Sequence, residues 1–206
     1  MGLVVGLLLL AAVVFFAVIL PRVDAAPEGS DSAASSEVSG DPVALPDALP
    51  FGLVAQDTGR LPTPPGAEAA EFQGQLKDFQ DNAVEGYDDL FGVGAAFRIY
   101  ASEDGSRQAL VTVLDKEPGL FAPDGPPVDA EVAGVARPAT QLVREGDAIC
   151  AINWGQPVAV GQAVPEGNPV LARCQLGDGG RTWEMAASGM PAADIVSTLD
   201  ALAARG

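Results

Sequence analysis

The residue pattern predicts an α+β fold: an antiparallel sheet with two helices packed on one face, preceded by a single transmembrane helix. Three observations lead there. An uninterrupted apolar run occupies residues 2–20. Residues 66–85 and the C-terminal stretch repeat their apolar positions every three to four residues, the period of a helix buried on one side. Between them apolar residues alternate, and Asp-Gly and Gly-Gly dipeptides punctuate the alternation, as in short strands joined by tight turns. Helix, hairpin-linked strands, helix is the order of a layered α+β domain.

The run GLVVGLLLLAAVVFFAVIL stops at Pro21-Arg22 and contains no charged residue. At 1.5 Å per residue it spans roughly 28 Å, the hydrocarbon thickness of a bilayer. Residues 1–21 are therefore expected to be an uncleaved membrane anchor. The alternative is a cleaved secretory signal, with Val23 and Ala25 at the −3 and −1 positions. Against cleavage, the run exceeds a signal core of about 7–15 residues, and Arg22 falls inside the cleavage region. Seven acids, from Asp24 to Asp57, separate Arg22 from the next base, Arg60. Such a flank carries no cytoplasmic retention signal, so the N-terminus is expected inside and the domain outside the cell membrane, or secreted if the signal is cut. Residues 22–42 are small, acidic and rich in Ser, Pro and Gly, a composition that reads as a flexible tether.

Residues 43–206 form the expected extracytoplasmic domain. Its first segment, VALPDALPFGLVAQ, alternates prolines with apolar residues and is expected to dock in extended form at a sheet edge. Ala69, Phe72, Leu76, Phe79 and Ala83 mark a helix over 66–85, with Pro64-Pro65 before it and Gly86 as its stop. Phe97, Ile99 and Ala101, then Ala109, Val111 and Val113, alternate around Asp104-Gly105, which predicts a hairpin. Residues 117–138 are Pro-rich and loop-like, with a short helix over 128–135. Strands follow at 139–145, 147–154, 169–176 and 181–187, the last two joined by Asp178-Gly179-Gly180. Pro191 opens a closing helix striped by Ile195, Val196, Leu199 and Leu202.

The formal net charge is −17, and from Ala67 onward 21 acidic residues oppose 9 basic ones. That field repels phosphate backbones and no basic stripe offsets it, which excludes a nucleic-acid partner. The chain has no His, removing the commonest general base and metal ligand at neutral pH. No nucleophile elbow, P-loop, H-E-x-x-H or dinucleotide fingerprint is present. No catalytic, cofactor-binding or metal-ligating residue is assigned, and the chain leans away from being an enzyme; a hydrolase is the least favoured reading. Glu85, Asp88 and Asp89 cluster around Tyr87, but without calcium-loop spacing they read as a solvated acidic surface. Gly92-Val93-Gly94 marks the turn into the first hairpin strand.

Cys150 and Cys174 are the only cysteines. An even pair in an exported chain reads as one disulfide, with two buried free thiols as the alternative. Trp154 and Trp183 each follow a cysteine by a few residues. They either pack on the bridge or wall a ligand pocket, with Tyr100 or Phe97 nearby. The stretches LVREGDAICAINWG, PVLARCQLGDGGRTWEMAASG and PAADIVSTLDALAARG resemble uncharacterised exported or membrane-anchored proteins of actinobacteria. Those share a one-span N-terminus, a Pro-rich approach to the domain, two cysteines on neighbouring strands and a closing helix. The resemblance implies the topology and no activity. The functional expectation is a membrane-anchored binding or interaction domain, held by residues 2–20, with a protein partner at the cell surface. An accessory or sensor subunit of a membrane complex is the alternative.

Overall fold

Along residues 108–114, 148–153, 171–178 and 181–188 alternate side chains fall on opposite sides of a pleated backbone, and one set is almost wholly buried. A computed structural model describes residues 43–63, 66–121 and 128–205. The expected anchor at 1–21, the tether at 22–42 and Pro64-Pro65 lie outside the described residues. The strands are β1 (Ala48–Leu49), β2 (Leu53–Ala55), β3 (Ala95–Ser102), β4 (Gln108–Leu114), β5 (Val135–Arg137) and β6 (Thr140–Glu145). They continue with β7 (Ala148–Asn153), β8 (Val158–Ala159), β9 (Leu171–Asp178) and β10 (Arg181–Ser188). The helices are α1 (Ala69–Phe91) and α2 (Ala192–Ala203). Eight strands form one sheet in the order β1-β2-β3-β4-β10-β9-β7-β6, and β5 pairs with β8 separately. Every pairing is antiparallel, so the α+β class with an antiparallel sheet and two helices holds.

The helices do not share a face, contrary to the sequence expectation. Val111, Met185 and Cys174 are cross-strand neighbours, as are Cys174 and Cys150, so all four point to one side. There α2 buries Ile195, Val196, Leu199 and Leu202 against them. Each such side chain contributes roughly 1.5–3 kcal/mol on leaving water. The other side carries Phe97 and Thr112, directly opposed on β3 and β4. Onto it α1 leans, with Phe79 edge-on to Phe97 at 5.9 Å between ring centroids. The Tyr87 phenol lies against Thr112, and its pKa is raised by burial and by the nearby Glu184 carboxylate. The two faces differ in what they demand. Six residues of α2 are buried, whereas α1 buries only Gln80; the broad apolar stripe takes the covered face and the narrow one lies over the margin.

Three boundaries also differ. The helix begins at Ala69 and runs through Gly86 to Phe91. Gly92 ends it in the left-handed conformation (φ 62°), donating its N–H to the Asp88 carbonyl at 2.8 Å, the arrangement for which glycine is favoured. The expected helix over 128–135 is a single turn. It is held by Ala133 N–H to Asp129 O and Val135 N–H to Ala130 O, and it stops at Gly134 (φ 68°). The proline-rich approach docks at the sheet edge in extended form, as expected, there forming the hairpin β1–β2 beside β3. The stretch 155–168 contributes a strand, β8, that alternation over two residues could not reveal.

The bridge Cys150–Cys174 is present at directly opposed positions on β7 and β9, with an S–S length of 2.07 Å, and both residues are fully buried. Closing a loop with a separation of 24 residues contributes about 3 kcal/mol by the chain-entropy argument. Among the described residues no helix is long and apolar enough to cross a membrane.

Two glycines give opposite expectations. A Cβ on Gly86 meets nothing within 4 Å, so Gly86→Ala should raise stability by about 0.5–1 kcal/mol through helix propensity. A Cβ on Gly189 would meet the Ser106 carbonyl oxygen at 2.3 Å, at a φ of +71°. Gly189→Ala should therefore lower stability by more than about 1 kcal/mol. Urea denaturation of both variants checks the signs; a loss at Gly86 or no change at Gly189 would refute this packing.

Candidate functional site

The three aromatic residues singled out by sequence do not meet. Tyr100 and Trp183 are 0% and 1% exposed, so neither lines a pocket. Trp183 stands on the covered face opposite Val113 and Leu176, and its indole N–H reaches Asp178 O at 3.4 Å. The Tyr100 hydroxyl donates to Pro46 O at 2.9 Å. Burial pushes its phenol pKa well above the usual value, so this tyrosine keeps its proton and serves as a fastener of the N-terminal arm.

Beside it Arg98 fastens the same arm. Nη1 donates to Leu45 O at 2.6 Å and Nη2 to Asp47 Oδ1 at 2.9 Å. Nε and Nη2 grip both oxygens of Asp57 at 2.9–3.1 Å. Gln80 of α1 completes the knot, donating to Asp57 Oδ2 and accepting the Ile99 N–H, each at 3.1 Å. Burial alone would raise the Asp57 pKa, but the hydrogen bonds from Arg98 and Gln80 and the guanidinium charge outweigh it, so the carboxyl lies below its ordinary 3.8. Donors and acceptors are matched here, and the cluster is structural.

Of these three, Trp154 alone lines a cleft. It follows β7, is half-buried, and packs on the margin of the core. Three bonds hold it: its N–H to Ala139 O at 2.7 Å, its indole N–H to Gln141 Oε1 at 2.8 Å, and the turn at Gly155 (φ 80°), whose N–H meets Asn153 Oδ1. Gly155 also sits where a Cβ would meet Val170 at 3.3 Å. On the indole lies the guanidinium of Arg137, 4.2 Å from the ring centroid, within range of a favourable cation–π contact. β5 carries Arg137, and its pairing with β8, Arg137 opposite Val158, brings it over the tryptophan.

These residues form the floor of a half-open cleft of about 450 Å³. The outer wall is the loop through Gln162, Ala163, Pro165, Glu166 and Asn168. It is tied down at three points: Pro165 O accepts from Arg137 Nη1 at 3.2 Å, Asn168 donates to Gly189 O at 2.7 Å, and Val170 N–H reaches Asn153 O at 2.9 Å. The wall mixes apolar surface from Pro157, Val158 and Ala163 with amide and carboxylate groups from Gln156, Gln162 and Glu166. Apolar area with a few convergent polar groups is the composition of ligand sites. Nothing in the residues around Arg137 announces a partner in Trp154, so the sequence gives no signal for it.

A second concavity of about 600 Å³ lies between α1 and the start of β3, lined by Val84, Ala96 and Val113 and rimmed by Asp81, Glu85, Asp88 and Asp115. Glu85 and Asp88 of the expected acidic surface thus share a groove. Among the described residues no three His, Cys, Asp or Glu side chains converge to hold a metal ion.

The Asp57 cluster carries a pH expectation. Its folded pKa lies below the unfolded value, so its contribution is complete above that unfolded value and is lost as pH falls through the folded one. Wild type should exceed Asp57→Asn in stability at about pH 5, and the gap should shrink at about pH 3. Paired denaturation curves at the two pH values decide it; a gap that does not narrow on acidification would sink the assignment. Compared with protein-family models, with curated proteins and with solved structures, the chain matches none.

Proposed function

We propose that residues 43–206 are an extracytoplasmic binding domain, held at the cell membrane by residues 2–20, that takes a small ligand in the cleft lined by Trp154 and Arg137. One observation carries the binding reading: an Arg laid on a half-exposed indole beside about 450 Å³ of open volume. Tyr100 and Trp183, by contrast, are buried in the core. The location rests on two supports. Residues 2–20 form a run of bilayer length, and the buried disulfide is of the kind that persists in oxidising compartments. The absence of His and the matched hydrogen bonding around Asp57 favour binding over catalysis.

The binding reading is tested by nitrogen-15 correlation spectra of the domain against a mixed library of small acids, amines, sugars and short peptides. Trp154 and Trp183 provide the two indole N–H signals, assigned by a Trp154→Phe variant. The expected result is a saturable shift of the Trp154 signal with Trp183 unmoved. A library in which nothing moves Trp154 saturably overturns the reading. For the location, protease added outside intact cells producing the full chain should digest the domain; a protected domain would refute extracytoplasmic placement.

A further inference from the structure

Arg137 is held in place by its surroundings but not satisfied by them. Its guanidinium carbon stands over the Trp154 ring, 4.2 Å from the centroid, so the indole covers it on that side. Nη1 donates to Pro165 O at 3.2 Å, which restrains the group from a second side. The opposite edge of the group presents Nε–H and one N–H of Nη2 side by side. Nε is buried and meets no acceptor. Nη2 likewise has no hydrogen-bond partner among the described residues. A buried donor without an acceptor is destabilising, and native structures rarely keep one without a reason. The unfilled edge is also the fork that matches two oxygens of one carboxylate, the geometry in which Arg outperforms any other cation.

We propose that the cleft recognises a carboxylate, bound bidentately by Nε and Nη2 of Arg137, with the body of the ligand against Val158, Pro157 and Ala163. This rests on the binding reading above and names its ligand chemistry. Three features select a carboxylate over other groups. Arg137 occupies the indole face, so a sugar ring cannot stack there. Glu166 shares the cleft, and from Ala67 onward the chain carries 21 acidic against 9 basic residues, so a dianion such as phosphate meets more repulsion than a monoanion. The wall beyond the fork is partly apolar, which suits an acid with a short hydrocarbon or peptide body. A small free acid and a peptide C-terminus present the same group, and the cleft volume admits either.

The test uses four probes on the folded domain, read at the Trp154 indole and the Arg137 Nε–H signals: acetate, N-acetyl-Ala-Ala, its C-terminal amide, and inorganic phosphate. The acid peptide should shift both signals saturably, and the amide should bind at least about tenfold more weakly. Stronger binding of the peptide than of acetate assigns the body to the apolar wall. Equal binding leaves the carboxylate as the whole determinant. Arg137→Lys keeps the charge but loses the fork and should weaken the acid peptide by about tenfold, with an unchanged melting curve showing that the fold is intact. If Arg137→Lys melts early, Glu166→Gln serves instead, and it should tighten phosphate more than the peptide. Equal affinity of acid and amide, or phosphate binding tighter than the acid peptide, overturns the carboxylate assignment while leaving a ligand cleft in place. Silence of Trp154 to all four probes while the mixed library moves it also overturns the assignment alone. Silence to both removes the cleft reading with it.

Discussion

The register of β7 on β9 is the constraint from which the rest of the molecule follows. Side chains alternate between faces, so a slip of one residue would transfer every apolar group of β7 from the covered face to the open one. Cys150 and Cys174 are directly opposed and covalently joined beneath α2, which forbids that slip. With Cys150 fixed, Ala148 and Ile152 must face α2, and Trp154, two residues on, emerges on the same side at the margin of the core. Its indole N–H can then reach Gln141, which lies opposite Ile152 on β6. The orientation of the aromatic ring that lines the cleft is thus set by a bond four residues earlier.

The far edge of the sheet is held by a different means. No apolar stripe of comparable breadth covers β3, and the short strands β1 and β2 offer few ladder bonds. Arg98 replaces them with donors to Leu45, Asp47 and Asp57, while Gln80 joins Asp57 to the backbone of β3. Ion pairs at an exposed surface contribute little because water screens them. Arg98 and Asp57, with side chains 17% and 22% exposed, stand largely out of water and are bonded along their whole edges, so their geometry does most of the holding. Arg98 and Arg137 therefore make an instructive pair. Both are fixed guanidiniums at the margins of the covered face, but Arg98 has its donors matched by protein acceptors and Arg137 keeps an edge unmatched.

Much of this was legible in the residue pattern. Alternation located the six long strands of the sheet, the stripe of Ile195, Val196, Leu199 and Leu202 located α2, and two cysteines in apolar strands located the bridge. What failed did so for physical reasons. Gly86 and Gly92 are both glycines at the end of an amphipathic stretch, and only the left-handed φ at Gly92 distinguishes a stop from a helical residue. The face chosen by α1 depends on competition with α2 for the same apolar surface, a tertiary outcome that periodicity does not encode. Trp183 and Tyr100 share the composition signal of Trp154, an aromatic in a strand; depth in the sheet separates them, since β10 and the paired part of β3 are interior while Trp154 follows the end of β7. Arg137 was invisible because its meeting with Trp154 runs through β8, a strand of two residues.

A lone guanidinium in an acidic domain has two physical fates. Left on the open surface, it would be drawn into the nearest carboxylate, and with 28 acidic against 11 basic residues in the chain such partners abound. Arg137 escapes that fate although Glu166 lines the same cleft. The indole beneath it and Pro165 O beside it hold the group by two contacts, both of which a swing toward a carboxylate would break. Its donors therefore stay where the strands β5 and β8 put them. Holding them there has a cost, since Nε is left dehydrated without an acceptor, and desolvated donors weigh against the folded state. The same restraint lowers the entropy lost when an acceptor arrives, because the geometry it needs already exists. An unmatched donor edge on a residue that lines an open cleft is thus more than a packing remainder: the fold keeps a modest instability at the point where a ligand can relieve it.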